Sequence, residues 1–415
     1  MIAPGSKGWI AKYLTLVEKG ELITQVERPS AMTSAQFNHH FLVQSGIVYG
    51  YPSRLIIGKA LKQSNWTHDE KLTVLLFESL LFTYCNFNDT KKFDQTNFIE
   101  TLYRFYKHHR VQSLGSFLGY LFKESKSEKL ERILAKRTDA QVQLRNTKSW
   151  AGLFNNAFIY LDILLFEEHL KAENTAVDYQ SLAVLALSII SLSAYSDGKI
   201  EESEKALFDA FLVSADLDHD ERELVKLRLK NGTSLNELDA ELIPSWNFKR
   251  YLLDLSSLTI YANHDARTAE KEFLEELRIW LDLSQEDLNQ AVIMAQQFVL
   301  ENHKQVGYLK DANTVELMVT NVSKRWIKIL GRNKEKLAVE LKQSKELVAL
   351  IRKSTAEELT KEEKEKVKTQ FLDIAKSMPA LAIFLLPGGA LLLPIVLKII
   401  PTLIPSAFRD NELEK

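Results

Sequence analysis

The sequence is poor in cysteine, glycine and proline, and it carries no strong excess of charge of either sign. Its 415 residues include 1 cysteine, 15 glycines and 9 prolines, with 53 basic and 55 acidic residues. The single cysteine, Cys85, excludes a disulfide scaffold and a zinc site built from several cysteines. The low glycine and proline content excludes collagen-like and low-complexity chains. A net charge of −2 excludes an overall basic, nucleic-acid-binding composition.

Sequence signatures of common catalytic sites are also missing. The chain has no phosphate-binding glycine loop, no G-x-S-x-G elbow and no H-E-x-x-H motif. The adjacent histidines His39 and His40 point about 100° apart on a helix, so they cannot chelate one metal ion together. We therefore expect them to be surface or partly buried residues, and the sequence predicts a protein that is not an enzyme.

Hydrophobic residues recur with a helical period through most of the chain, and strand-like alternation is scarce. Capping boxes at Thr67–Glu70 and Thr360–Glu363 mark two helix starts. These patterns predict an all-α fold. We divide the chain into an N-terminal helical region (1–172), a helical domain (173–310), a basic amphipathic neck (311–376) and an apolar, proline-rich segment with a tail (377–415).

An internal repeat occupies the helical domain. The sequence that begins at Tyr195 recurs 66 residues later at Tyr261, which predicts two related helical hairpins. The first copy contains Asp197-Gly198, five residues and then Glu204, which resembles the signature of tellurite-resistance TerB-like domains. The resemblance implies a helical domain that in some members binds a divalent metal, with calcium as the candidate here. The alternative is that Asp197-Gly198 ends one helix and Glu204 lies early in the next. The candidate ligands are Asp197, Glu204, Asp265 and Glu270.

The C-terminal segment is the most apolar part of the chain. Ser377 to Leu397 is a run of 21 residues without a charge, which as a helix reaches about 31 Å, close to the hydrocarbon thickness of a bilayer. This length predicts a proline-kinked membrane segment that is supported by neighbouring helices or partner chains. The alternative is a buried helical hairpin that turns at Pro387-Gly388-Gly389 and packs on soluble helices. The residues on which this interpretation depends are Pro379, Pro387, Gly388, Gly389, Pro394, Lys398, Pro401 and Pro405.

The residues upstream of this segment are strongly basic. Residues 322–354 hold ten lysines or arginines and three acidic residues, whereas residues 1–321 carry a net charge of −8. A basic amphipathic helix suits an anionic surface, either lipid or RNA, while a solvated helix face is the alternative. The positive flank also predicts that the bulk of the chain stays in the cytoplasm. The candidate contact residues are Lys334, Lys336, Lys342 and Lys345.

The region from Leu359 to Phe408 resembles the core of the Letm family. The resemblance rests on Leu359-Thr360 at the start of a charged helix, Asp373, Pro379, Pro387, Leu392-Leu393-Pro394, Leu397-Lys398, Pro401 and Leu403-Ile404-Pro405-Ser406. With the TerB-like middle, the chain resembles a bacterial Letm-related protein of the kind labelled biofilm-associated.

The Letm resemblance implies an inner-membrane protein that is linked to exchange of potassium or calcium with protons and has a ribosome-binding soluble region. The apolar segment predicts the lipid bilayer as a partner, and the resemblance adds the ribosome or other membrane-protein subunits. A second copy of the chain is a further candidate partner. One position departs from the family, because Ala390 stands where mitochondrial members have a glutamate. A proton-coupled exchanger needs such a buried carboxylate, so this departure argues against autonomous exchange.

These observations together predict a membrane-associated, non-enzymatic, Letm-like adaptor that brings ribosomes or another partner to the bacterial inner membrane. Two alternatives stay open. One is a subunit of a cation–proton homeostasis or transport system, and the other is a soluble, metal-responsive TerB-like stress protein.

Overall fold

The computed structural model of the chain contains helices, turns and loops, and no strand occurs among the residues that it describes. The prediction of an all-α fold is therefore confirmed for these residues. They are residues 2–24, 26–29, 32–59, 61–88, 93–108, 124–138, 157–172, 178–200, 202–215, 217–261, 266–302, 323, 326–327, 329–376, 378, 381 and 393–404.

Six helices make up the described part of the N-terminal region. They are α1 (Trp9–Glu18), α2 (Ser34–Val43), α3 (His68–Phe87), α4 (Gln95–His108), α5 (Lys126–Thr138) and α6 (Tyr160–Lys171). The helix α3 packs against α2, α5 and α6 and forms the centre of this region. Its predicted capping box is confirmed, because the Thr67 amide donates to the Glu70 carboxylate over 2.8 Å and the Glu70 amide donates to the Thr67 hydroxyl over 3.2 Å.

A buried carboxylate on α3 holds the loop that precedes this helix. One oxygen of Glu78 accepts hydrogen bonds from the amides of Ile56 and Ile57 at 2.7 and 2.9 Å. The other oxygen accepts from the Gly58 amide at 2.9 Å and from the Tyr13 hydroxyl at 2.7 Å. Burial raises the pKa of Glu78, and the four donors oppose this by stabilising the anion. A Cβ atom at Gly58 would lie 2.7 Å from Oε1 of Glu78, so this close approach requires glycine.

The helical domain contains two consecutive sets of three helices. They are α7 (Tyr179–Tyr195), α8 (Glu202–Ser214), α9 (His219–Asn231), α10 (Trp246–Tyr261), α11 (Thr268–Trp280) and α12 (Gln285–Asn302). Glu202 and Thr268 begin α8 and α11 and are 66 residues apart, and the same separation relates His219 and Gln285 at the starts of α9 and α12. The helix boundaries therefore agree with the predicted repeat and extend it from two helices to three.

The third helices of the two repeats differ in their surroundings. On α9, Leu227 is 54% exposed, whereas Ile293 at the equivalent position of α12 is 1% exposed. The N-terminal region covers α12, since the rings of Tyr49 and Phe298 lie 4.6 Å apart between their centroids. The helix α12 also packs closely against α10. The second repeat is thus enclosed on a side where the first repeat leaves Leu227 exposed.

The C-terminal part contains α13 (Lys334–Gln343), α14 (Lys345–Ala356), α15 (Lys361–Lys376) and α16 (Leu393–Leu403). The helix α14 packs against each of the other three. The capping box at the start of α15 is confirmed, because the Thr360 amide donates to Glu363 over 2.9 Å and the Glu363 amide donates to the Thr360 hydroxyl over 3.2 Å.

The described part of the apolar tail lies against the protein. Val396, Ile400 and Ile404 are all 0% exposed, and α16 packs on α14. This packing favours the buried alternative for residues 393–404. Among the helices that the structure describes, none combines the length and the apolar character needed to cross a bilayer. The predicted membrane segment is therefore not confirmed, and the proposed turn at 387–389 lies outside the described residues.

Candidate functional site

The surface of the C-terminal helices is charged because their apolar residues point inward. Leu337 and Leu341 on α13 and Leu347 and Ile351 on α14 are all 0% exposed. Val339, which is 57% exposed, is an apolar residue that remains on the surface of α13. We call α13 to α16 the C-terminal unit, because α14 packs on each of the other three helices. The predicted amphipathic pattern is present here, but its apolar face forms the core of the C-terminal unit. The solvent-exposed surface of α13 and α14 is therefore mainly formed by charged side chains.

Most lysines of α15 are held in ion pairs. Nζ of Lys364 lies 2.9 Å from the Glu358 carboxylate, and Nζ of Lys366 lies 3.2 Å from the Glu346 carboxylate. Hydrogen bonds from Lys366 and from Gln370 lower the pKa of Glu346. Further ion pairs join Lys353 to Glu363 at 2.7 Å, Lys368 to Glu365 at 3.4 Å and Lys376 to Asp373 at 2.8 Å. Much of the positive charge of α15 is thus balanced within the unit.

The four lysines predicted to contact an anionic surface are all exposed. Lys334 is the first residue of α13 and Lys345 is the first residue of α14. Neither has an acidic partner within the part of the chain that the structure describes. Lys336 and Lys342 are exposed as well, and each interacts with another group. The α13–α14 segment therefore presents lysine charge that is not balanced locally.

The residues predicted to mark a membrane segment fall partly within α16. Pro394 is its second residue, where proline fits the first turn of a helix. Pro401 lies inside the helix and removes one backbone hydrogen bond. Lys398 is exposed, so the charge on this helix points away from the core. Pro379, Pro387, Gly388, Gly389 and Pro405 lie outside the described residues.

The candidate metal ligands have other partners in the structure. The Asp197 carboxylate pairs with the guanidinium of Arg267, so a contact links the loops of the two repeats. Glu204 and Glu270 are buried, each at the third position of its helix, and the Glu270 carboxylate accepts from the Arg267 amide. No group of three or more His, Cys, Asp or Glu residues suited to a metal ion occurs among the described residues, and Asp265 lies outside them. The calcium site stays a prediction.

A buried polar network joins the N-terminal region to the second repeat. Nε2 of His39 on α2 lies 2.7 Å from Oδ2 of Asp254 on α10, and Nε of Arg250 donates to Oδ1 of Asp254 over 3.2 Å. Nη1 of Arg250 donates to Oε1 of Gln290 over 3.3 Å, and His40 contacts the same oxygen. The expectation that His39 and His40 are surface or partly buried residues is wrong, since they are 0% and 3% exposed.

Charges inside this network shift the pKa values of its members. Burial lowers the pKa of His39, although Asp254 opposes the shift. Burial and the nearby Arg250 lower the pKa of His40 to about 4. Burial would raise the pKa of Asp254, but the charges of Arg250 and His39 outweigh it and lower the value. This network of charged and polar groups connects α2 to α10. Sequence analysis missed it because His39 and Asp254 are far apart in the chain.

Comparison with known proteins finds a related family for the C-terminal end of the chain. No curated protein matches the sequence, and no solved structure matches it. Residues 359–415, which include α15 and α16, match the family described as LETM1-like, RBD, a ribosome-binding domain. The predicted Letm resemblance is thereby confirmed, and the C-terminal end of this chain is Letm-like.

Proposed function

We propose that the chain is a non-enzymatic, ribosome-binding adaptor whose C-terminal helices form the contact with the ribosome. The observation that carries this proposal is the match of residues 359–415 to a LETM1-like ribosome-binding domain. The helices of that segment are not isolated, because both α15 and α16 pack on α14. The ribosome-binding unit therefore includes helices that precede the matched segment.

The remaining helices suit a scaffold. The N-terminal region and the helical domain are joined by the buried contacts of His39, Asp254 and Arg250. A joined body of this kind can hold the C-terminal unit at a fixed site in the cell. Placement at the bacterial inner membrane, a role in cation homeostasis and a second copy of the chain as partner stay predictions of the sequence analysis.

Co-sedimentation tests the proposal directly. The purified full chain is mixed with ribosomes of the same organism and centrifuged through a sucrose cushion. We expect the chain to pellet with the ribosomes in a saturable manner and to remain in the supernatant without them. A chain that remains in the supernatant at saturating ribosome concentrations would falsify the proposal.

Two matched core variants locate the binding unit. Phe371 on α15 and Phe208 on α8 are both 0% exposed. Each Phe→Ala change leaves a cavity that costs about 3–5 kcal/mol of local stability. We expect Phe371→Ala to reduce pelleting with ribosomes and Phe208→Ala to leave it near the parent level. Equal loss in the two variants, with both chains still helical by circular dichroism, contradicts a C-terminal location.

A further inference from the structure

The C-terminal unit distributes its positive charge unevenly between helices. We propose that it contacts the phosphate groups of ribosomal RNA through Lys334 and Lys345 of the α13–α14 segment, rather than through the ion-paired lysines of α15. This inference rests on the proposed ribosome-binding function and adds to it the chemistry and the location of the contact. Both lysines lie upstream of residues 359–415, so the family match does not include them.

The first argument is electrostatic. Residues 359–376 carry five basic and four acidic residues, whereas residues 334–356, which contain α13 and α14, carry six basic and three acidic residues. Lys364 and Lys366 lie within 2.9 and 3.2 Å of carboxylates. A phosphate that approaches such a pair must displace the carboxylate or be repelled by it. Lysines that are not held in an ion pair attract phosphate without first giving up a carboxylate, and they release counterions when they bind.

The second argument concerns the nature of the anionic surface. A helix that binds a membrane surface needs an apolar face that can enter the lipid beside its cations. In this unit the apolar face is already used, because Leu337, Leu341 and Leu347 are fully buried. Val339 on α13 and Ile327 upstream of it are exposed, at 57% and 44%, but two separate side chains add little area to such a face. Cations on a surface without a free apolar stripe suit the backbone of RNA better than a lipid headgroup region.

The third argument is positional. Lys345 begins α14, the helix on which α13, α15 and α16 all pack. The Ser344 hydroxyl beside it donates to Gln370 of α15 over 3.1 Å, which fixes the junction between α13 and α14. The lysine is therefore presented from a fixed position in the unit. A preorganised cation loses less conformational entropy on binding than one on a free chain.

Two double variants of the full chain test the inference. The first is Lys334→Gln with Lys345→Gln, and the matched control is Lys364→Gln with Lys366→Gln. Each removes two positive charges from exposed lysines of the same unit. Binding to ribosomes and to purified ribosomal RNA is measured over a series of salt concentrations. Binding to vesicles that contain phosphatidylglycerol is measured in parallel.

We expect the first variant to bind ribosomes and free ribosomal RNA about tenfold more weakly, with a salt dependence reduced by about 1.5 in log–log slope. The control variant should stay within about twofold of the parent. If the parent pellets with ribosomes but the first variant keeps the parent affinity and slope, the inference is wrong while the proposed function stands. If the first variant loses vesicle binding and keeps RNA binding, the surface is a lipid contact and the inference is overturned. A parent that binds no ribosomes overturns the proposed function instead.

Discussion

Nε2 of His39 on α2 lies 2.7 Å from Oδ2 of Asp254 on α10, and both side chains are completely buried. The residues are far apart in the chain, so their contact ties the N-terminal region to the second repeat. Arg250 lies on the other side of the carboxylate, with its Nε 3.2 Å from Oδ1 of Asp254. The Asp254 carboxylate therefore contacts both His39 and Arg250 inside the protein core, away from solvent.

The substitution Asp254→Asn should destabilise the protein strongly. It removes the carboxylate nearest the fully buried guanidinium of Arg250 and leaves Asp287, whose Oδ1 lies 3.7 Å from Nη1, as the remaining anion beside it. Breaking a buried ion pair from one side costs up to about 3–5 kcal/mol when the remaining charge has no other partner, so with Asp287 still present we expect a loss towards the lower end of that range. Urea denaturation followed by circular dichroism measures the loss.

The matched control for that experiment is Asp373→Asn. The side chain of Asp373 is 63% exposed in its pair with Lys376. Its replacement should change the free energy of unfolding by no more than about 0.5 kcal/mol. Equal shifts of the urea midpoint in the two variants would show that the buried pair contributes no more to stability than the exposed pair.

Stability should fall as the pH is lowered from neutral. The pKa of His40 is lowered to about 4 in the folded state by burial and by Arg250, whereas an unfolded histidine titrates near 6.5. Between these values the unfolded chain binds more protons, so the stability from neutral His40 is present above about pH 6.5 and is lost as the pH falls towards 4. This group alone should cost about 2 kcal/mol between pH 7.5 and pH 5.

Urea midpoints of the parent and of His40→Gln at the two pH values check this dependence. The variant should have a flatter stability profile because it has one titrating group fewer. The comparison variant is His219→Gln, which alters an exposed histidine at the start of α9. If His40→Gln retains the full pH dependence of the parent, the assignment to His40 is incorrect.

Glu131→Gln should weaken the start of α1. The Glu131 carboxylate on α5 accepts hydrogen bonds from the amides of Gly8 at 2.8 Å and Ile10 at 2.9 Å, so it caps a helix that is distant in sequence. A glutamine places an amide donor against one of these donors and removes the negative charge. We expect a loss of about 1–2 kcal/mol and faster hydrogen exchange at the Ile10 amide. Glu18→Gln, at the exposed far end of α1, should change neither quantity appreciably.

Ile400→Ala should destabilise the C-terminal unit. The side chain is 0% exposed on α16, and its truncation leaves a cavity that costs about 2–4 kcal/mol. Lys398→Ala, on the exposed side of the same helix, should have an effect within about 0.5 kcal/mol. The measurement is urea denaturation of the full chain without detergent. A silent Ile400→Ala would indicate that α16 leaves the protein in solution, as a membrane segment would.

The features that the sequence predicted correctly depend on residues close together in the chain. The capping boxes at Thr67 and Thr360 need only residues three positions apart, and the repeat needs only a constant offset. The contact of His39 with Asp254 and the capping of α1 by Glu131 depend on packing between helices that are distant in the chain. No local pattern in a single sequence indicates such contacts. Only the i,i+4 spacing of Arg250 and Asp254 hints at a pair.

In the candidate site, too, the sequence predicted local features and missed those that depend on packing between helices. The basic composition upstream of α15 was readable, and so was the Letm resemblance. Which lysines are neutralised was not readable, because the Glu346 partner of Lys366 lies 20 residues away on another helix. The apolar pattern of α13 was likewise visible without any sign of whether protein or lipid would cover it.

The enclosure of α12 and the exposure of α9 have a consequence for how the two halves of the repeat tolerate change. A charged residue in place of Leu227 meets solvent, whereas the same change at Ile293 places a charge inside the molecule. The two repeats are thus under unequal constraint at this position, and a comprehensive substitution library should tolerate polar and charged residues at Leu227 and reject them at Ile293.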